Sequence, residues 1–192
     1  MPRKPNILLL VSDSTRAGWL GCYGGTSGAT PNLDRWSSGA CLYERAYAAS
    51  TWTAPAVASL LTGVLPGSLQ IRLSPSPAPG VLHNEALPDG VATLAEILGA
   101  AGYSSVAVTA NPLLQDHYRL TRGFGIRSHH FMAPAEELIR IWQDARSRLP
   151  EPWFAYLHFM DCNHPLHIRP LALESGIDFD KYKLSPMDSV VQ

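Results

Sequence analysis

Charge is scarce in this chain. Of its 192 residues only 16% are Asp, Glu, Lys or Arg, and the formal net charge is -1. A balance of that kind gives no basic patch for nucleic acid and no cationic face for an anionic membrane. Cysteine is scarce too. Cys22, Cys41 and Cys162 are an odd number without metal-ligand spacing, so they read as free thiols outside any disulfide framework. Long hydrophobic runs are missing. Ile7-Leu8-Leu9-Leu10-Val11 follows Arg3 and Lys4, but it is too short to span a membrane, shows no small-residue cleavage site and meets Asp13 at once. It reads as a buried strand rather than a leader, and a cytoplasmic location away from membranes is expected. No internal repeat and no heptad pattern is present. No G-x-G-x-x-G follows the first strand, which excludes a dinucleotide site.

What is present is a hydrophobic fraction of 46%, enough in a chain of this length for one domain with a real core. Residues 6–12 form an apolar run of strand length, expected at the centre of a parallel sheet. Residues 14–29 are Gly-rich and read as an active-site loop. Thr30-Pro31 is a helix start, with a short helix over 32–38. Residues 42–47 read as a strand. Residues 64–90 carry Pro66, Pro75, Pro77, Pro79 and Pro88 and read as an irregular loop inside the domain. Helical spacing covers 92–101, a Val-rich strand 103–109 and a loop 111–125. An amphipathic helix covers 135–148, with Leu138, Ile139, Ile141 and Trp142 inward. A buried strand follows over 153–159. Strands alternating with helices make this an α/β chain with a mostly parallel sheet flanked by helices, in a single domain over 1–192.

Two stretches invite chemistry. Asp13 ends the first strand, the edge of an open α/β sheet where ligands bind. Its carboxylate reads either as a metal ligand or as a structural cap. Thr53-Ala54-Pro55-Ala56-Val57-Ala58-Ser59-Leu60-Leu61-Thr62-Gly63 reads as a short helix sandwiched inside the fold, with Gly63 as C-cap. Thr53 is either its N-cap or an alcohol held in the positive end of the dipole, where an anion binds or an alkoxide forms. His158, on a buried strand, reads as a satisfied core histidine. His129-His130 are neighbours on a strand, pointing to opposite faces, and make a poor metal pair.

The motifs together resemble the sulfatase family of the alkaline phosphatase superfamily. Pro5-Asn6-Ile7-Leu8-Leu9-Leu10-Val11-Ser12-Asp13-Ser14-Thr15-Arg16 is similar to its opening P-N-I-L-L-I-x-x-D-[DT]-x-R. Leu20-Gly21-Cys22-Tyr23-Gly24 and Thr30-Pro31-Asn32-Leu33-Asp34 match its L-G-C-Y-G and T-P-N-L-D. The Thr53 segment keeps the Pro and the A-S-L-L-T-G tail of the nucleophile helix. Thr53 stands where the family's cysteine or serine becomes formylglycine, and Val57 stands where it has Arg or His. Leu157-His158-Phe159-Met160-Asp161-Cys162-Asn163-His164-Pro165 resembles L-H-F-x-D-P-H-x-P-Y, with Asn163 in the His slot and His164 one place later. Ala110-Asn111-Pro112 and Arg122-Gly123-Phe124 match the family's N-P and R-G-F.

The resemblance implies an alkaline-phosphatase-like fold whose C-terminal portion is missing, because the later S-D-H-G motif and lysine are absent. It implies a metal-dependent hydrolase of small sulfate, or phosphate or phosphonate, esters, with a covalent intermediate on Thr53. Asp13, Ser14 and Thr53 would hold a divalent cation, calcium first and manganese or zinc as alternatives. Asn163 and His164 would serve the leaving group, and Asn111 would lie by the substrate. A C-terminal half or a second chain would complete the metal site. The alternative is an inactive sulfatase-like remnant or an anion-binding protein.

Overall fold

The structure is a computed structural model that describes residues 3–71, 73–75, 82–84 and 86–163, the two short strands as backbone only. In chain order the elements are β1 (Ile7–Ser12), α1 (Pro31–Ser37), α2 (Thr53–Thr62), α3 (Pro66–Leu69), β2 (Leu73–Pro75), β3 (Leu82–Asn84), α4 (Leu94–Ala100), β4 (Ser104–Thr109), β5 (Ile126–His129), α5 (Ala135–Arg148) and β6 (Trp153–Phe159). Four strands form one sheet in the order β1-β6-β4-β5, and every neighbouring pair is parallel. Sequence-distant β6 lies at its heart because its residues are apolar on both faces, which only a covered position satisfies.

Alternation along β6 divides the core. Phe154 and Tyr156 face the cluster built with Ala54, Val57, Ala58 and Leu61 of α2 and with Ala95 of α4. Trp153, Ala155 and Leu157 face the cluster built with Leu138, Trp142 and Ala145 of α5. Trp142 meets Trp153 edge-on with ring centroids 5.1 Å apart. The α5 boundaries are those its pattern predicts, although Ile139 lies outward rather than inward. Its first N–H, from Ala135, is capped from afar by Asp161 Oδ1 at 3.0 Å.

Several expectations change. β1 is not central: among the described residues it pairs only with β6, and Leu8 and Leu10 on one face are 45% and 57% exposed. Among the described residues the α5 layer packs chiefly on β4 and β6, which leaves Leu8 and Leu10 exposed. Residues 42–47 form no strand, and Tyr43 and Tyr47 are exposed; apolar content that pairs with no neighbouring strand does not make one. Residues 64–90 are less irregular than their prolines suggest. They hold α3 and the antiparallel β2–β3 pair, and Leu69, Ile71 and Leu87 anchor the segment in the core. Helix α2 is buried on one face only, with Leu60 exposed.

The long loop after β1 is ordered by its own motifs. Thr30 Oγ1 and Cys22 N both donate to Asp34 Oδ1, at 3.0 and 2.8 Å, and Gly21 N donates to Thr30 Oγ1 at 3.0 Å. A Cβ at Gly21 would run into the Asp34 carboxylate, so only glycine lets the two motifs close on each other.

Candidate active site

Register brings the site together. In the parallel pairing Ser12 lies beside Phe159 and Thr109 beside His158. The next residues continue the ladder, with Asp13 N donating to Phe159 O at 3.0 Å and Ala110 N to His158 O at 3.1 Å. Asp13, Asn111 and the 160–163 turn therefore leave one edge of the sheet side by side. Helix α2 starts against that edge.

Asp13 is the hub. Its Oδ2 accepts from Thr53 Oγ1 at 3.0 Å, Asn111 Nδ2 at 2.9 Å and His158 Nε2 at 2.9 Å. Its Oδ1 accepts from Ser14 Oγ at 3.1 Å and Asn163 Nδ2 at 2.8 Å. Burial pushes the carboxyl up, but the donors from His158, Thr53 and Ser14 outweigh it and lower its pKa to about 2. Ser14 adopts a left-handed backbone with φ of 60°, uncommon away from glycine, and this turns its hydroxyl back onto Asp13.

Thr53 is the first residue of α2 rather than its cap. Trp52 takes the cap position in an extended conformation without a side-chain bond, and the Thr53 hydroxyl goes to Asp13. Its proton is given there and Asn111 Nδ2 approaches it at a long 3.5 Å, which leaves a lone pair for whatever enters the cavity. Gly63 caps the far end with φ of 71°, as the sequence suggests.

Asn111 is aimed by its neighbour. Its Oδ1 accepts from Leu113 N at 2.8 Å, which leaves the amide nitrogen for Asp13. The resemblance puts Asn111 by the substrate; its amide nitrogen is in the site, bonded to Asp13 Oδ2, to Met160 Sδ at 3.1 Å and, at a long 3.5 Å, to Thr53 Oγ1. Asn163 is likewise committed to Asp13, and His164 lies outside the described residues.

His158 is the residue that sequence reasoning underrates. It is 1% exposed and satisfied, as a core histidine should be, but its partners are Asp13 and the hydroxyl of Tyr156, which lies 2.6 Å from Nδ1. The available signal was its place near the end of a strand that runs parallel to β1. The His129-His130 pair stays apart from this network: His129 meets Thr109 and Asp116, and His130 meets Ser128.

A cavity of about 530 Å³ opens on the hub, with Asp13, Ser14, Thr53, Val57, His158 and Asn163 in its wall. Among the described residues no lysine or arginine lines it, and no cluster of three or more His, Cys, Asp or Glu is present. One ionised carboxylate beside two hydroxyls is a hard-oxygen donor set that suits a hard divalent cation, and it makes up part of a cage.

A family model described as sulfatase matches residues 5–181. Arylsulfatase A of Homo sapiens is 34% identical over 147 residues, covering 71% of this chain and 28% of that protein. A phosphonate monoester hydrolase of Agrobacterium radiobacter superposes with a TM-score of 0.66 at 20% identity, over 84% of this chain and 42% of that one. A protein in the alkaline phosphatase superfamily from Vibrio parahaemolyticus superposes at 0.58 with 21% identity, over 98% and 45%. At those identities the two structures speak to the fold, an α/β sheet of alkaline-phosphatase type. The chain spans less than half the length of each of these relatives.

Proposed function

As the chain belongs to the sulfatase family, we propose that it is a hydrolase of sulfate esters, with phosphate or phosphonate esters as alternative substrates, and that Thr53 is its nucleophile. The observation that carries the reading is the 3.0 Å bond from Thr53 Oγ1 to Asp13 Oδ2 at the wall of the cavity. It holds the hydroxyl in one orientation, with a lone pair left to attack. Threonine has no route to formylglycine, so the covalent intermediate is an ordinary ester of Thr53. The Thr53 hydroxyl gives its proton to solvent in the cavity as its oxygen bonds to sulfur or phosphorus; the bond from that atom to the substrate oxygen breaks, the alcohol leaves with the electron pair, and water then displaces the Thr53 oxygen and returns a proton to it.

A divalent cation held by Asp13, Ser14 and Thr53 would supply charge stabilisation to the ester oxygens and ease ionisation of the alcohol. Calcium is the first choice for such oxygen donors, with manganese or zinc as alternatives; further ligands come from outside the described residues or from a second chain. Asp13, with its pKa lowered to about 2, is too weak a base to take the Thr53 proton efficiently, so its part is to bind and to orient. Asn163 can donate a hydrogen bond but cannot release a proton, which favours aryl esters, whose leaving groups need none. In this reading residues 1–192 act as one incomplete catalytic domain.

A second reading rests on Val57, 4% exposed where the resemblance has Arg or His, and on the absence of lysine and arginine from the described cavity wall. It makes the chain an inactive sulfatase-like remnant, or an anion-binding protein once a cation or donors outside the described residues offset the charge of Asp13. One experiment separates the two: turnover of 4-nitrophenyl sulfate, phosphate and phenylphosphonate by the purified chain with calcium, manganese or zinc. The hydrolase reading expects turnover that Thr53→Ala abolishes. No turnover with any pairing favours the second, and turnover indifferent to Thr53→Ala overturns Thr53 as the nucleophile.

A further inference from the structure

Tyr156 and His158 stand two residues apart on β6, so both side chains leave the same face of the strand. Both are buried, at 0% and 1% exposed, in a region where apolar residues would pack at less cost. Their rings meet edge-on with centroids 5.9 Å apart, and Phe124 stacks on Tyr156 at 6.1 Å. The pair is thus fixed by a covered strand and an aromatic wall, whereas Thr53, Asn111, Ser14 and Asn163 reach Asp13 from a helix start and from loops.

Hydrogen-bond accounting settles the direction of the chain of bonds. Burial, then the charge of Asp13, push the Tyr156 phenol up, so it keeps its proton. Among the described residues that proton has one acceptor, His158 Nδ1 at 2.6 Å. The ring must then carry its own proton on Nε2, the atom 2.9 Å from Asp13 Oδ2. With a proton on Nδ1 as well, the phenol hydrogen would be left without an acceptor.

We infer that Tyr156 and His158 are a positioning pair: Tyr156 sets the tautomer of His158, and His158 holds the Asp13 carboxylate in the orientation that presents Oδ2 to the Thr53 hydroxyl. The inference rests on Thr53 and Asp13 being the working groups of the cavity. Neither Tyr156 nor His158 has to touch the substrate. Outer partners of this kind change affinity or activity by roughly 10–100-fold when removed.

The test uses the full chain. Nitrogen-15 NMR of the imidazoles is expected to show His158 with its proton on Nε2 alone, and Tyr156→Phe is expected to mix the two tautomers. In crystals, His158→Gln, whose amide can donate from the place of Nε2, is expected to keep the bond from Thr53 to Asp13, and His158→Leu to lose it. Where turnover is measurable, His158→Leu lowers kcat roughly 10–100-fold with KM little changed, and His158→Gln recovers part of the loss. A proton on Nδ1 in the unmodified chain, a tautomer indifferent to Tyr156→Phe, or a Thr53–Asp13 bond intact in His158→Leu overturns the pair. If His158→Leu does not fold, Tyr156→Phe decides by the same NMR readout. Absence of turnover in the unmodified chain counts against the hydrolase reading alone, because the NMR and crystal readouts stand without it.

Discussion

Strands β1 and β6 lie side by side in parallel register, and both read as apolar runs, yet their surroundings differ. β6 is covered on both faces, with Phe154, Tyr156 and Leu157 at 0–1% exposed. Among the described residues β1 is covered on one face, and Leu8 and Leu10 stand open on the other. The hub of the site joins the two: Asp13 ends the half-covered strand, while His158 belongs to the covered one. The comparison teaches that a carboxylate at the end of a half-covered strand can be held by a side chain of a fully covered neighbour.

The largest effect expected from breaking this arrangement is at Thr53. Thr53→Ala removes the proposed nucleophile and is expected to lower turnover of an aryl ester by at least about 10³-fold, measured at saturating substrate, with little change in melting temperature. Next comes the contrast between the strands themselves. Leu157→Ala on β6 is expected to cost about 2–5 kcal/mol in a urea titration, whereas Leu10→Ala on β1, at 57% exposed, stays within about 0.5 kcal/mol. Equal costs would mean that the open face of β1 is covered in solution.

The pH dependence sharpens the same contrast at the hub. Folding lowers the Asp13 pKa from 3.8 to about 2. A depressed carboxyl stabilises the folded state above its unfolded pKa and loses that contribution as pH falls through the folded value. The expected loss is about 2 kcal/mol between pH 5 and pH 1. Denaturation midpoints across that window should fall less in Asp13→Asn than in the unmodified chain. A smaller loss than that of Leu157→Ala is expected where the 160–163 turn meets the start of α5. Asp161→Ala removes the bond to Ala135 N at the start of α5 and costs about 1 kcal/mol.

Legibility in the sequence followed the range of the interactions. α5 and β6 could be drawn to the residue, because a 3.6-residue apolar stripe and a continuous apolar run are local records of burial. The Gly63 cap was readable for the same reason: it depends on one residue's backbone freedom. The 42–47 segment was misread because a strand needs a partner, and no local signal names one. Thr53 as N-cap was a sound local reading that lost to a carboxylate forty residues away. Asp161 as the cap of α5 was invisible, since donor and acceptor lie 26 residues apart.

The sequence by itself determined that this is an α/β chain of the sulfatase family with Asp13 and Thr53 as its leading functional candidates, because strand ends, helix starts and motif order are written in neighbouring residues. Only the tertiary structure decided that Asn111, His158 and Asn163 spend their side chains on Asp13, that Tyr156 stands behind His158, and that β1 is an edge of the described sheet. Those facts depend on the parallel register of β1 with β6 and of β6 with β4. Register is set by the packing of whole faces against helices, and no short stretch of chain contains it.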